Sequence, residues 1–211
     1  MEKANVVVDT WFQSASTWTN TTGINLFNSL MTHLGLTGSW QAGYQISFPV
    51  AKKFDGKNIN GKTILRLLAE VACCNCYADA NGVINIAPYT ANATTLDNTK
   101  YTRKTVQNFT CPAINKFTVQ RDYSGDNQWY NITKTGTSGD TILKLSNSYF
   151  NYRLTDVQLA YYYSDAFNWM PSYTPMTVEC QRDFGINAGD IIQVDGVQTI
   201  VMSKRIYNKG V

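Results

Sequence analysis

Several features that mark enzymes, nucleic-acid-binding proteins and membrane proteins are scarce in this 211-residue sequence. Only 16% of the residues are charged, the net charge is +3, and there is a single histidine. The lysines and arginines are scattered, so the basic patch of a nucleic-acid-binding surface is missing and no specific nucleic-acid binding is expected. No stretch approaches 18 consecutive apolar residues, so no membrane-spanning helix is predicted.

Residue patterns of catalysis and metal binding are also weak. His33, the one histidine, lies at the edge of a helical stripe, and nothing in the sequence supports a Ser-His or Cys-His pair around it. A glycoside hydrolase needs two carboxylates facing a sugar cleft. Asp156, Asp165 and Glu179 flank an aromatic run, but a chain with 15 carboxylates offers such groupings by chance. We therefore predict a protein that is not an enzyme and that has no cofactor and no metal site.

The sequence contains an odd number of cysteines. A zinc site needs four ligands, and only one histidine is available to complete one. Free, partly buried thiols are therefore predicted, which suits folding in a reducing cytosol better than a disulfide scaffold. The five cysteines are Cys73, Cys74, Cys76, Cys111 and Cys180.

Hydrophobic spacing predicts a helix soon after an N-terminal strand, NVVVDTW. Apolar residues recur at helical intervals between Ile24 and Leu34, with Thr22 available as N-cap and Gly35 as the C-terminal stop. The following segment YQISFPV is typical of a strand. A polar loop, FDGKNINGK, separates it from the next apolar pattern.

A second helix is predicted to begin near Lys62, with an apolar stripe on one face and Arg66 and Glu70 paired on the other. Two short β segments follow it, joined at Asp79–Gly82 by a turn that favours a tight hairpin. Residues 21–90 are therefore interpreted as a small two-helix plus β-hairpin module.

The remainder of the chain is β-patterned after a predicted linker at residues 91–99. The segment VQLAYYYSDAF fits neither a helical nor a strand period, whereas Asp195-Gly196 marks a strong hairpin. The turn Gly136–Asp140, GTSGD, lacks the Lys-Ser/Thr and the following helix of a phosphate loop. We interpret it as a reversal between two strands. The predicted strands are INKFTVQRDY, QWYNITKTG, TILKLSN, MTVECQRD, IIQV and VQTIVMS.

The order of these motifs resembles a known family. INGKTILRLLAEVACCNCYADANGVINIAPY resembles a segment of the baseplate-hub-like, tail-associated proteins of long-tailed phages and prophages. LGLTG, GTSGDTILKLSNSYF, INAGDIIQV and QTIVMSKRIYNKG resemble further family elements in the expected order, although Asp140 replaces an Asn and no proline follows Asn147. The resemblance covers roughly residues 20–210. Matching positions in the first segment are Thr63, Arg66, Leu68, Ala69, Cys74, Ala78, Gly82, Ile84 and Ile86.

The resemblance implies a non-enzymatic structural protein of the virion tail tip or baseplate hub, assembled in the bacterial host cytoplasm. It implies a ring that continues the tail tube for DNA passage and a homotrimer in the full-length context. The implied partners are the tail tube or distal tail protein and the tape measure protein.

The fold that the resemblance implies is α+β, with an α+β module followed by an antiparallel β-barrel-like domain. The family carries a further β-domain before its first helix, so this chain is expected to be an incomplete ring builder. Its expected parts are a residual strand of that domain (1–20), the α+β module (21–90), the linker (91–99) and the ring domain (100–211).

A different class of function stays open. Aromatic side chains stack on sugars, and an aromatic-rich segment suggests a non-catalytic carbohydrate-binding module for host surfaces. Its candidate residues are Tyr161, Tyr162, Tyr163, Trp169 and Tyr173.

Overall fold

The computed structural model describes residues 4, 21–41, 49–50, 60–123, 126–145, 155, 157, 160, 163, 171–182 and 184–205. Across these residues the protein is a mixed α+β fold, as predicted. The helices are α1 (Gly23–Leu34) and α2 (Gly61–Val71). The strands are β1 (Thr21–Thr22), β2 (Gly38–Trp40), β3 (Pro49–Val50), β4 (Asn75–Ala78), β5 (Ile84–Ala87), β6 (Thr90–Leu96), β7 (Tyr101–Val106), β8 (Lys116–Tyr123), β9 (Asp126–Thr133), β10 (Ile142–Leu145), β11 (Met176–Cys180), β12 (Asp190–Val194) and β13 (Val197–Ile200).

The chain divides into two compact units. The first unit comprises Met1–Pro88 and Asn115–Phe167, and the second comprises Tyr89–Ile114 and Asn168–Val211. The first break falls close to the predicted end of the α+β module. Residues 115–167 group with that module, however, whereas the sequence suggested one unbroken domain from residue 100 to 211.

Helix α1 begins and ends at the predicted residues. The Asn25 amide donates to Thr22 Oγ1 at 3.3 Å, and Gly35 has the left-handed φ of 62° that ends the helix. A Cβ on Gly38 would lie 2.5 Å from Met31 Cγ and 2.6 Å from the Phe27 ring. The second glycine of LGLTG therefore allows β2 to pack closely against α1.

Helix α2 begins one residue before the predicted start. Asn60 is its N-cap, and its Oδ1 accepts the Thr63 amide at 2.8 Å. The helix stops just before Cys73, which has a left-handed φ of 51°. The predicted apolar stripe is buried and comprises Ile64, Leu65, Leu68, Val71 and Ala72.

The predicted hairpin after α2 is confirmed. Strands β4 and β5 pair antiparallel, and Asp79 Oδ1 accepts the backbone amides of Asn81 and Val83, both at 2.9 Å. Gly82 takes the left-handed φ of 79° that this turn requires. On its other edge β5 pairs in parallel with β2, which makes the sheet β2-β5-β4.

The GTSGD turn does not join two neighbouring strands. Strand β8 pairs antiparallel with β9 and in parallel with β10, so it lies between them in the sheet β10-β8-β9, here called the crossover sheet. The interpretation of the turn as a simple reversal is therefore incomplete. The chain does reverse, but residues 134–141 also cross the start of β8.

The second unit contains two small sheets around a common core. Sheet β13-β12-β6 includes the predicted Asp195-Gly196 hairpin, and the two-stranded ribbon β7-β11 lies beside it. Residues 90–96 form strand β6, parallel to β12, where the sequence suggested part of a linker. The core of this unit is Leu96, Ile186, Ile192 and Val194, with Tyr101, Met176, Val178, Phe184 and Val201 packed against it.

Some predicted elements lie outside the described residues. These are the NVVVDTW strand and most of YQISFPV, of which Pro49–Val50 pairs antiparallel with β1. In the ambiguous segment, Val157, Ala160 and Tyr163 are helical. The strands of the described residues form five small sheets, and closure into a barrel is not seen among them. In the same residues, no helix has both the length and the apolar character needed to span a membrane.

Candidate functional site

The candidate sugar-binding aromatics do not form one platform in the described residues. Tyr163 is fully buried, and its ring packs against Phe117 at a centroid distance of 5.6 Å. A fully buried ring offers no stacking surface to a ligand in solvent, so in this structure Tyr163 is a core residue. Tyr161, Tyr162 and Trp169 lie outside the described residues.

Tyr173 lies in the second unit and is half-buried. Its backbone forms an antiparallel bridge with Cys111, with N–O distances of 2.8 and 3.0 Å. Burial, followed by the hydrogen bond with the Cys111 side chain, raises the pKa of Tyr173 to about 12. The backbone bridge joins the two extended segments that contain Cys111 and Tyr173.

The residues considered for catalysis are not assembled into a centre in the described part of the chain. His33 is exposed in the last turn of α1. Glu179 is exposed on β11 and lies 3.8 Å from Arg103 on β7. Asp156 and Asp165 lie outside the described residues. Within the ranges that the structure describes, no group of three or more His, Cys, Asp or Glu side chains is placed to hold a metal ion.

Cys73 and Cys76 have the CxxC spacing of redox and metal sites, a motif that the sequence reasoning missed. Both are free thiols in the structure, and Cys76 together with Cys74 lines an open cleft of about 500 Å³ between α2 and β4. Burial raises the pKa of Cys74 to about 12 and that of Cys76 to about 11, and it also raises the pKa of Cys73. Reactive CxxC thiols have a lowered pKa, so these thiols are in the opposite environment.

The thiols give a first testable result. We expect iodoacetamide at pH 8 to label exposed Cys180 first in the native chain and buried Cys74 last, because alkylation requires an accessible thiolate. In denaturant without reductant, mass spectrometry should find all five cysteines labelled, and fewer would reveal a disulfide.

Unfolded thiols ionise near pH 9, but Cys76 and Cys74 do so only near 11 and 12 when folded. Stability should therefore fall as the pH rises above about 9.

A polar cluster fixes the tip of the Asp195-Gly196 hairpin. The Tyr101 hydroxyl donates to Asp195 Oδ2 at 2.5 Å, and the Lys104 ammonium donates to the same oxygen. The Asp195 amide in turn donates to the Leu96 carbonyl at 2.8 Å. Hydrogen bonds from Lys104 and then Tyr101 lower the pKa of Asp195. These bonds join the tip of the hairpin to β7 and β6.

The GTSGD turn is organised around a residue that the sequence analysis did not single out. Asn115 immediately precedes β8 and is 9% exposed. Its Nδ2 donates to the carbonyls of Ser138 at 3.2 Å and Gly139 at 2.9 Å, and its Oδ1 accepts the Thr141 amide at 2.8 Å. These bonds occupy two carbonyls of the turn and the amide that follows it, so Asn115 fixes the path of the chain across the start of β8.

One exposed aromatic lies on the crossover sheet. Trp129 of β9 is 39% exposed, and Lys144 Nζ of β10 lies 4.1 Å from the centre of its ring. The strand period in the sequence indicates that Trp129 lies on the exposed face. Because Ile132 points into the core, the strand period of two places Trp129 on the opposite face.

The described residues thus define a mixed α+β protein whose conspicuous features are structural clusters and an aromatic sheet face. No protein-family profile matches the chain, and no curated protein matches it. Among solved structures, it is similar to the prophage MuSo2 43 kDa tail protein from Shewanella oneidensis (13% identity, TM-score 0.47) and to a tail protein from Neisseria meningitidis MC58 (10% identity, TM-score 0.47).

The similarity covers 83% of this chain and 56% of the Shewanella chain, and 86% of this chain and 60% of the Neisseria chain. This chain therefore spans less than two thirds of the length of either protein. At a TM-score of 0.47, neither the fold nor the function of this chain follows from the likeness.

Proposed function

We propose that the chain is a structural component of a phage or prophage tail. Within the tail, it forms part of the tip or baseplate-hub ring that continues the tube for DNA passage. The β strands after about residue 100 contribute to this ring, and the full-length protein is a homotrimer. Its partners are the tail tube or distal tail protein and the tape measure protein.

The observation that carries this proposal is how the motif of residues 61–87 folds. The apolar positions shared with the hub family should be buried if the resemblance reflects a common fold. Leu68, Ala69 and Cys74 are buried, at most 8% exposed, and so are Ile84 and Ile86, whereas Ala78 is exposed at the end of β4. The shared glycine, Gly82, has the positive φ that explains why glycine is needed there.

A second observation supports a role in assembly. Among the described residues the ribbon β7-β11 has two strands, and a two-stranded ribbon is marginal on its own. Near its end, Val106 is 43% exposed and Phe109 is 52% exposed. Threonines and a single Arg103–Glu179 pair dominate its open face, which suits static contact with neighbouring subunits.

The proposal is tested by an early stop codon in the gene, in the phage or prophage that encodes it. We expect DNA-filled heads without functional tails and the loss of infectious particles, both restored by the wild-type chain supplied in trans. Normal tails and normal infectivity would contradict a structural tail role.

Gold-labelled antibody against the chain distinguishes a position at the tail tip or hub from a position elsewhere in the tail. Label confined to the distal end of the tail is expected for a hub or tip component. Label along the whole tail would contradict the hub assignment while leaving a tail role in place.

A further inference from the structure

The outer face of the crossover sheet is mostly polar. It carries the exposed ring of Trp129 next to the ammonium of Lys144. The strand period that buries Phe117, Val119 and Ile132 places the alternate side chains on this face. Thr118 Oγ1 donates to Asn131 Oδ1 at 2.8 Å, so Asn131 presents its amide nitrogen as a donor. The face includes Lys116, Thr118, Gln120, Trp129, Asn131, Thr133, Ile142 and Lys144.

Two lysines, Lys116 of β8 and Lys144 of β10, lie on this face. Lys116 has a counter-charge in Asp140, whose carboxylate lies 3.4 Å away and is 68% exposed. Lys144 instead holds its ammonium over the Trp129 ring, where the negative face of the aromatic system attracts a cation. An indole, an ammonium and an amide donor therefore lie on the same exposed face of the sheet.

We propose that this face binds an acidic saccharide, with the Trp129 ring stacking on the sugar and Lys144 pairing with its carboxylate. The proposal is independent of the tail role and uses none of the five aromatics that the sequence suggested. The weakly positive C–H groups of a pyranose match the negative face of an indole ring. Asn131 and Thr118 supply the hydrogen-bonding groups that sugar hydroxyls require.

The cation over the ring determines which sugar is preferred. A neutral sugar that stacks on the ring displaces the Lys144 ammonium and loses the cation–π contact without replacing it. An acidic sugar offers the displaced ammonium a carboxylate partner. A neutral analogue of the same sugar should therefore bind about fivefold more weakly, and the difference should depend on Lys144.

The test uses trigalacturonate and its methyl ester, which have the same rings and differ in charge. The ¹⁵N–¹H indole signal of Trp129, one of five tryptophans, is assigned by its loss in Trp129→Phe and followed during titration of the full chain. We expect a saturable shift, with the ester about fivefold weaker. Lys144→Gln should abolish the preference for the acid. Lys62→Gln, which removes an equal charge from α2, should keep it.

Several outcomes would overturn the proposal. One is the absence of a saturable shift with either saccharide, and another is a preference for the acid that survives in Lys144→Gln. An equal shift with sodium acetate would show an anion site without sugar recognition. Shifts of the same signal that depend only on protein concentration would show that a second copy of the chain covers this face.

Discussion

Replacing Phe117 by alanine is expected to lower the free energy of unfolding by about 3–5 kcal/mol. Phe117 is fully buried on β8, the middle strand of the crossover sheet, and its ring packs against that of Tyr163. Truncation would remove this contact and leave a cavity that the surrounding strands cannot fill. Urea unfolding followed by circular dichroism measures the loss.

The chain offers a matched control of the same residue type. Phe109 is 52% exposed, so Phe109→Ala should change the free energy of unfolding by about 0.5 kcal/mol or less. Equal effects of the two substitutions would contradict the assignment of Phe117 to the core. The comparison also tests the buried position of Tyr163, because an exposed Tyr163 would leave Phe117 without this ring contact.

The parts of the fold that the sequence predicts are those set by neighbouring residues. The Thr22 cap, the Gly35 stop and the two hairpin turns each depend on side-chain chemistry within about four positions. Gly82 and Asp195-Gly196 allow left-handed backbone at a turn, and this preference does not need the rest of the protein. Such elements were predicted correctly, with an error of one residue at the start of α2.

The parts that the sequence does not predict depend on distant pairing. Strand β6 is recognisable only through its parallel partner β12, about a hundred residues later, and its polar sequence TANATTL is typical of a linker. The position of β8 between β9 and β10 has no local signal either. In a similar way, the tyrosine run was ambiguous because the burial of Tyr163 depends on Phe117, 46 positions earlier.

In the candidate sites, too, the sequence predicts what neighbouring residues determine and misses what distant pairing determines. The strand period places Trp129 on the exposed face, but only the pairing across β8 brings Lys144 of β10 to its ring. The predicted aromatic set was drawn from proximity in sequence, whereas Tyr163 and Tyr173 fall in different units. Sequence proximity is therefore a poor guide to a binding face in a chain whose sheets are built from distant strands.

Replacing Asn115 by alanine is expected to destabilise the crossover sheet by about 2–3 kcal/mol. The substitution removes three side-chain hydrogen bonds and leaves the Thr141 amide and the Gly139 carbonyl without their partner. The backbone bond from the Asn115 amide to the Thr141 carbonyl, at 3.1 Å, would persist. Loss of the turn should therefore be local at first, with faster amide exchange at Thr141, and urea unfolding should report the decrease in stability.

Asn108→Ala is the control for this substitution, because Asn108 is exposed in a bend of the second unit. It should leave both the urea midpoint and the exchange at Thr141 unchanged. If Asn115→Ala gave the same result as this control, the backbone bonds alone would hold the turn. Gly136 and Gly139, with φ of 77° and 88°, would then be sufficient to direct the chain across β8. The predicted loss of stability with Asn115→Ala would instead show that the turn depends both on the two glycines and on the buried side-chain amide of Asn115.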